Sequence, residues 1–221
     1  MRDEPIELIT IAREYGAGGS ELARALGERL GWGVLDRDLP QRVAARMRID
    51  PATIEGLHEQ APGFLARIAS AMLVYPPEAP LVVDSGEFPT PDAIARAVRE
   101  ELQRAIQAPP VVIVGHGGQC LLRGHAGALH LRLVAPIADR IARICARDGC
   151  GSRTAAAAVR RMDDDRQAYI RRYHDAEWRD PLLYDLEINT GRLPIADAAA
   201  MVVQLVAARA ALSPAAVAGV D

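Results

Sequence analysis

Apolar positions along the chain fall into short continuous runs, separated by stretches in which they recur every three or four residues. The runs at 9–12, 111–114, 129–134 and 186–189 predict buried strands, and 33–36 a weaker one. Leu22, Leu26 and Leu30 recur at helical spacing ahead of Gly31, which is placed to end that helix. Residues 195–212 wrap apolar side chains around a last helix before the tail SPAAVAGVD. That helix is expected to pack on the sheet, with a contact in a homo-oligomer as its less favoured use. Strands alternating with helices predict a single α/β domain over 1–221, a three-layer arrangement with a parallel five-stranded sheet between helices and ligands at the carboxyl ends of the strands.

The segment 50–110 fits this alternation worst. Two helical patterns there are broken at Tyr75-Pro-Pro-Glu-Ala-Pro80 and Phe88-Pro-Thr-Pro91, so the segment reads as a helical insert, either a surface excursion or a flap over a ligand. Residues 150–175 read instead as one helical run dense in arginine and aspartate.

Composition narrows the function. Half of the 221 residues are hydrophobic and a quarter charged, which suits a folded domain with a full core. The net charge of −3 gives no overall cationic field for a nucleic acid or an anionic membrane, but it leaves room for a local arginine pocket and a small anion. No apolar stretch approaches the roughly 20 residues of a membrane helix. MRDEPIELIT lacks the basic start and long apolar core of a secretion signal, so a cytoplasmic location is expected. Cys120, Cys145 and Cys150 are odd in number and lack zinc-ligand spacing, as free thiols would. All 26 basic residues are arginine.

That last fact bears on the stretch ELITIAREYGAGGSELARALGERLG, a strand, a glycine-rich turn and an amphipathic helix. The phosphate-loop pattern G-x-x-x-x-G-K-[ST], laid on residues 13–20, finds Arg13 at the first glycine and Gly19 at the lysine. Gly16, Ala17, Gly18 and Gly19 bring backbone amides close to an anion, and the helix from Ser20 points its positive end at it. Ser20 falls at the position that ligates Mg²⁺, and Arg13 is the nearest cation to replace the lysine. A dinucleotide fingerprint at Gly16-x-Gly18, with Asp36 on a ribose, competes less well, because Glu21 occupies the third small position and the loop is too long.

The blocks IAREYGAGGSELA, VLDRDL, VVIVGHGGQCLLR, RMDDDRQAYIRRY and WRDPLLYDLEINTGRL, in this order, resemble the cytidylate kinase-like family. The resemblance implies a P-loop kinase-type fold and transfer of the ATP γ-phosphoryl, with Mg²⁺, to a small-molecule nucleotide, a nucleoside monophosphate of cytidylate type. It further implies that Asp36 and Arg42 lie where the acceptor is held. His116, in Gly115-His116-Gly117, stands where such kinases grip the acceptor phosphate with arginine. Arg161 and Arg166 resemble lid arginines that close over the moving phosphoryl, a role suited to planar guanidinium forks. Asn189 and Thr190 would border the adenine. Trp178, Pro181 and Tyr184 read as anchors of the chain entering the last strand. The alternative is a nucleotide-binding or sensing protein that kept this fold and lost catalysis, motivated by the missing lysine, the missing acceptor arginine and Gly117 in place of the strand-end acid.

Overall fold

The structure, a computed structural model, describes residues 4–36, 39–47 and 91–212. Residues 50–90 of the expected insert and the tail after 212 lie outside the described residues.

Five parallel strands form one sheet in the order β2-β3-β1-β4-β5, with β1 at Leu8–Arg13, β2 at Gly33–Leu35, β3 at Val111–Val114, β4 at Ala128–Val134 and β5 at Leu186–Asn189. The runs at β1, β3 and β4 become strands because both faces of the sheet are covered there and nearly every residue of a run has a core to enter, whereas the edge strand β5 leaves Glu187 and Asn189 exposed. Within β1 and β3 the alternation splits them. Ile9, Ile11, Val112 and Val114 join one core with Leu22, Leu26 and Val202. Leu8, Val111 and Ile113 join the other with Leu39, Ile94 and Leu102. Helices α1 (Gly19–Leu30) and α7 (Ile195–Ala211) pack together on the first face, and α2 (Leu39–Arg46) and α3 (Pro91–Ala105) on the second. Thus residues 91–105 of the expected insert are a helix closing the core. A short α4 (Gly118–Leu121) follows β3, and the paired α5 (Ile137–Asp148) and α6 (Ser152–His174) stand between β4 and β5.

The strand order places the site. From β1 the chain leaves through α1 toward β2 on one side, and from β4 it leaves through α5 toward β5 on the other. Such a divergence opens a crevice beyond the carboxyl ends of the two strands. Residues 14–18 lie at its mouth.

Candidate functional site

The turn after β1 is held from three directions. Gly16 and Gly18 have φ of 84° and 85°, a left-handed conformation that glycine adopts without a Cβ penalty. Tyr15 donates its backbone N–H to Asp163 of α6 at 2.7 Å, and Arg143 of α5 donates to the Gly16 carbonyl at 3.2 Å. Thr190, just past β5 and 4% exposed, donates its hydroxyl to the Ala17 carbonyl at 2.9 Å and receives Arg143 in turn. Thr190 therefore fastens the loop from beneath. The Ala17 side chain is buried in the core and its amide is spent on the Glu14 carbonyl. The first amides of α1, at Gly19, Ser20 and Glu21, precede the first bond of the helix, Leu22 N–H to the Gly18 carbonyl, so they are the donors the loop offers.

Arg13, at the last position of β1, turns into the crevice. Its stem passes over Gly19 and its guanidinium rests on Gly115, at the end of β3. Loss of hydration lowers its pKa, and the Asp36 carboxylate acts the other way. Arg166 of α6 approaches from the opposite wall: Nη1 donates to the Arg13 carbonyl at 2.8 Å, while Nε is buried with no partner among the described residues. Its guanidinium lies 5.5 Å from the Tyr15 ring centre, and Arg147 lies 5.3 Å from the same ring and donates to its hydroxyl. Tyr15 is thus a common support for two cations. Burial and the nearby charge of Arg13 lower the pKa of Arg166. A half-buried Arg13 and a buried Arg166 thus converge beside a helix N-terminus, with Asp163, 3.9 Å from Arg166, and Asp36 offsetting their charge in part. The cavity here, about 260 Å³, is lined by Arg13, Gly16, Gly19, Ser20, Asp36 and Arg166, among others.

His116 lines a second cavity and, with Arg13 and Arg166, a small pocket beside it. Gly115, His116 and Gly117 all have positive φ, 76°, 55° and 74°. For histidine this is an uncommon conformation that stores on the order of 1–3 kcal/mol and recurs at functional sites. Burial, with Arg13 and Arg166 nearby, depresses the His116 pKa to about 3, so the ring is neutral at physiological pH. The second cavity, about 350 Å³, is bounded by His116, Arg96 and Arg99 of α3, and Tyr169, Tyr173 and His174 of α6. Burial also lowers His174, to about 4.

The two histidines give a pH prediction. A histidine held neutral in the fold binds fewer protons than in the unfolded chain between its folded pKa and about 6.5, so stability rises with pH across that window and is lost as pH falls through it. His116→Asn, whose side chain tolerates the left-handed turn, removes one such group. Thermal melts should show the variant losing less stability than the parent between pH 6.5 and 4, with a pH-independent offset above 7; parallel curves throughout would contradict it.

The structure brings together Arg13, Gly16, Gly18, Gly19, Ser20, Asp36, His116 and Arg166 around two adjoining cavities. Arg42 is exposed on α2 and Arg161 exposed on α6, and neither lines these cavities. Thr190 supports the loop and Asn189 is exposed at the strand end. Trp178 is 2% exposed with Arg132 5.6 Å from its ring, and its carbonyl accepts from the Tyr184 hydroxyl, a structural anchor. Sequence reasoning missed Tyr15, Arg96, Arg99, Arg143 and Arg147. The spacing of Arg140, Arg143 and Arg147 on one face of α5 was a signal for a cationic wall.

The sequence profile of the Cytidylate kinase-like family matches residues 8–192. A search of curated proteins finds no match. Among solved structures, an uncharacterized protein from Eubacterium ventriosum superposes with a TM-score of 0.65 at 19% identity, covering 90% of this chain and 98% of that one. The shikimate kinase of Acinetobacter baumannii, solved with shikimate, gives 0.50 at 17% identity over 92% and 94%. That of Bacteroides thetaiotaomicron gives 0.51 at 13% over 90% and 98%. At these identities the likeness is one of fold.

Proposed function

The chain belongs to the cytidylate kinase-like family, and from this premise we propose that it transfers the γ-phosphoryl of ATP to a small acceptor, a nucleoside monophosphate of cytidylate type. The observation that carries the reading is the pair Arg13 and Arg166, convergent on the amide-bearing end of α1 in a cavity whose carboxylates, Asp36 and the Asp163 shared with Arg140, offset them only in part, with a second cavity lined by His116 nearby. The site fits a nucleotide phosphate: the cavity of about 260 Å³ beside the loop is lined by Arg13 and Arg166, and the buried Arg166 Nε has no partner among the described residues. Ser20 and Asp36 offer the oxygen donors that Mg²⁺ accepts; the ion typically takes one or two side chains and completes its shell with phosphate and water. Bound there, Mg²⁺ would supply charge neutralisation between the phosphates.

The remaining work falls to the protein's own groups. Amides of Gly19 and Ser20 and the Arg13 guanidinium hold the terminal phosphates, and Arg166, beside the Tyr15 ring, faces charge that spreads over the transferring oxygens. Positioning and electrostatic stabilisation carry such transfers, so no protein nucleophile is needed. His116, being neutral, adds no cation for the acceptor. Arg96 and Arg99 are the cations of the second cavity, and the acceptor's anionic group is assigned to them.

Purified protein given ATP, Mg²⁺ and a panel of nucleoside monophosphates tests the reading through acceptor-dependent ADP release. Turnover with a cytidine nucleotide supports it; saturable ATP binding without turnover supports the sensing alternative, which the neutral His116 favours. In the double variant Arg96→Ala/Arg99→Ala the KM for the acceptor should rise about tenfold or more while ATP affinity stays within twofold, an effect consistent with losing charged hydrogen bonds of roughly 1.5–3 kcal/mol. An unchanged acceptor KM would remove these arginines from the acceptor site.

A further inference from the structure

Gly19 occupies the lysine position of the phosphate-loop pattern, and its backbone gives no reason for glycine. It lies in the first turn of α1 and has no left-handed φ. The reason is steric. A Cβ at position 19 would stand 2.6 Å from Arg13 Cγ, 3.0 Å from its Cβ and 3.1 Å from its Cδ, so the Arg13 stem fills the space that a side chain at 19 would use. At its far end the guanidinium lies against Gly115, where a Cβ would collide with it. Arg13 is thus seated between two glycines. Compared with G-x-x-x-x-G-K-[ST], residues 13–20 keep Gly18 and Ser20 and differ only at the first glycine and the lysine, where the chain has Arg13 and Gly19.

We propose that Arg13 and Gly19 are a transposed pair: the cation that contacts the terminal phosphates of a nucleoside triphosphate has moved from the start of α1 to the end of β1, and the bare position 19 makes room for it. The two arrangements exclude each other, because a lysine at 19 and an arginine at 13 compete for one channel. This inference rests on the phosphate-binding reading of the loop and specifies which side chain serves it.

The test is a double-mutant cycle on the full chain, with MgATP binding by calorimetry and thermal midpoints as readouts. Arg13→Gly should weaken MgATP binding about tenfold or more, since it removes a charge-assisted donor. Gly19→Lys alone should weaken it as well, by displacing Arg13. The double variant Arg13→Gly/Gly19→Lys, which reads GEYGAGKS, should recover affinity to within about threefold of the parent. The milder pair repeats the logic: Gly19→Ala should lower affinity and thermal midpoint beside Arg13 and change neither beside Gly at 13. Additive effects in both cycles, or a Gly19→Lys protein that binds like the parent, overturn the transposition while leaving the phosphate site intact. A well-folded parent that does not bind MgATP at all overturns the underlying reading instead.

Discussion

Replacing Arg166 with alanine is expected to lower acceptor-dependent phosphoryl transfer by about 10³-fold or more, the range over which a single arginine at a transferring phosphoryl group acts. The structure gives three reasons to assign so large an effect to this residue. One nitrogen is fixed on the Arg13 carbonyl, the guanidinium lies 5.5 Å from the Tyr15 ring centre, and the buried Nε has no partner among the described residues. Such a group reaches the reaction without reorganising, which is where electrostatic catalysis gains most. Arg166→Lys should recover little, because an ammonium cannot hold the carbonyl and a phosphoryl oxygen in one plane. The fold should tolerate the loss, since removing Arg166 removes a like charge from beside Arg13. Single-turnover kinetics with MgATP and CMP separate the chemical step from binding. A rate within tenfold of the parent would take Arg166 out of the chemistry.

The largest effect on stability is expected at Asp163. This carboxylate, 6% exposed, pairs with the buried Arg140 and accepts the Tyr15 amide, while Arg140 also donates to the Ala135 carbonyl and lies 3.4 Å from Glu14. Asp163→Ala leaves a guanidinium inside the fold with one carboxylate partner fewer and an amide without an acceptor. Breaking one side of a buried pair costs roughly 3–5 kcal/mol. Glu14 retains part of the compensation, so the lower end of that range is expected. Urea unfolding should show the midpoint falling with little change in slope. Asp163→Asn, which keeps an oxygen for Tyr15, should lose less. A shift worth under about 1 kcal/mol would mean that Glu14 alone satisfies Arg140. MgATP affinity should fall along with stability, because the same carboxylate holds the phosphate loop against α6.

The inner strands were legible because parallel strands covered on both faces must be apolar throughout, as the run 111–114 at β3 is; the edge strand β5, which coincides with 186–189, shows instead Leu186 and Ile188 alternating with the exposed Glu187 and Asn189. The glycine turn and the helix ending at Gly31 were legible for a similar local reason: left-handed glycines and helical spacing are written in neighbouring residues. Arginine roles were less so. Arg161 and Arg166 lie on different faces of α6, one exposed and the other 9% exposed; the sequence shows the spacing of Arg166 with Val159, Asp163 and Ile170 but not that this face meets Tyr15 across the gap to the β1 turn. Tyr15 itself looks like a loop residue until α5 and α6, well over 100 positions away, supply its two cations. The acceptor side was the least legible: Arg96 and Arg99 occur on an ordinary amphipathic pattern, and only the close approach of α3 to the end of α6 encloses a cavity there.

Arg13 needs both of its glycine seats, and this makes positions 13, 19 and 115 a unit of inheritance. In an alignment of relatives the three should covary: chains with arginine at 13 keep glycine at both other places, whereas chains that regain lysine at 19 are free to carry a larger residue at 115. A lineage could cross between the two forms only through a weakly binding intermediate, with either no cation in the channel or two competing for it.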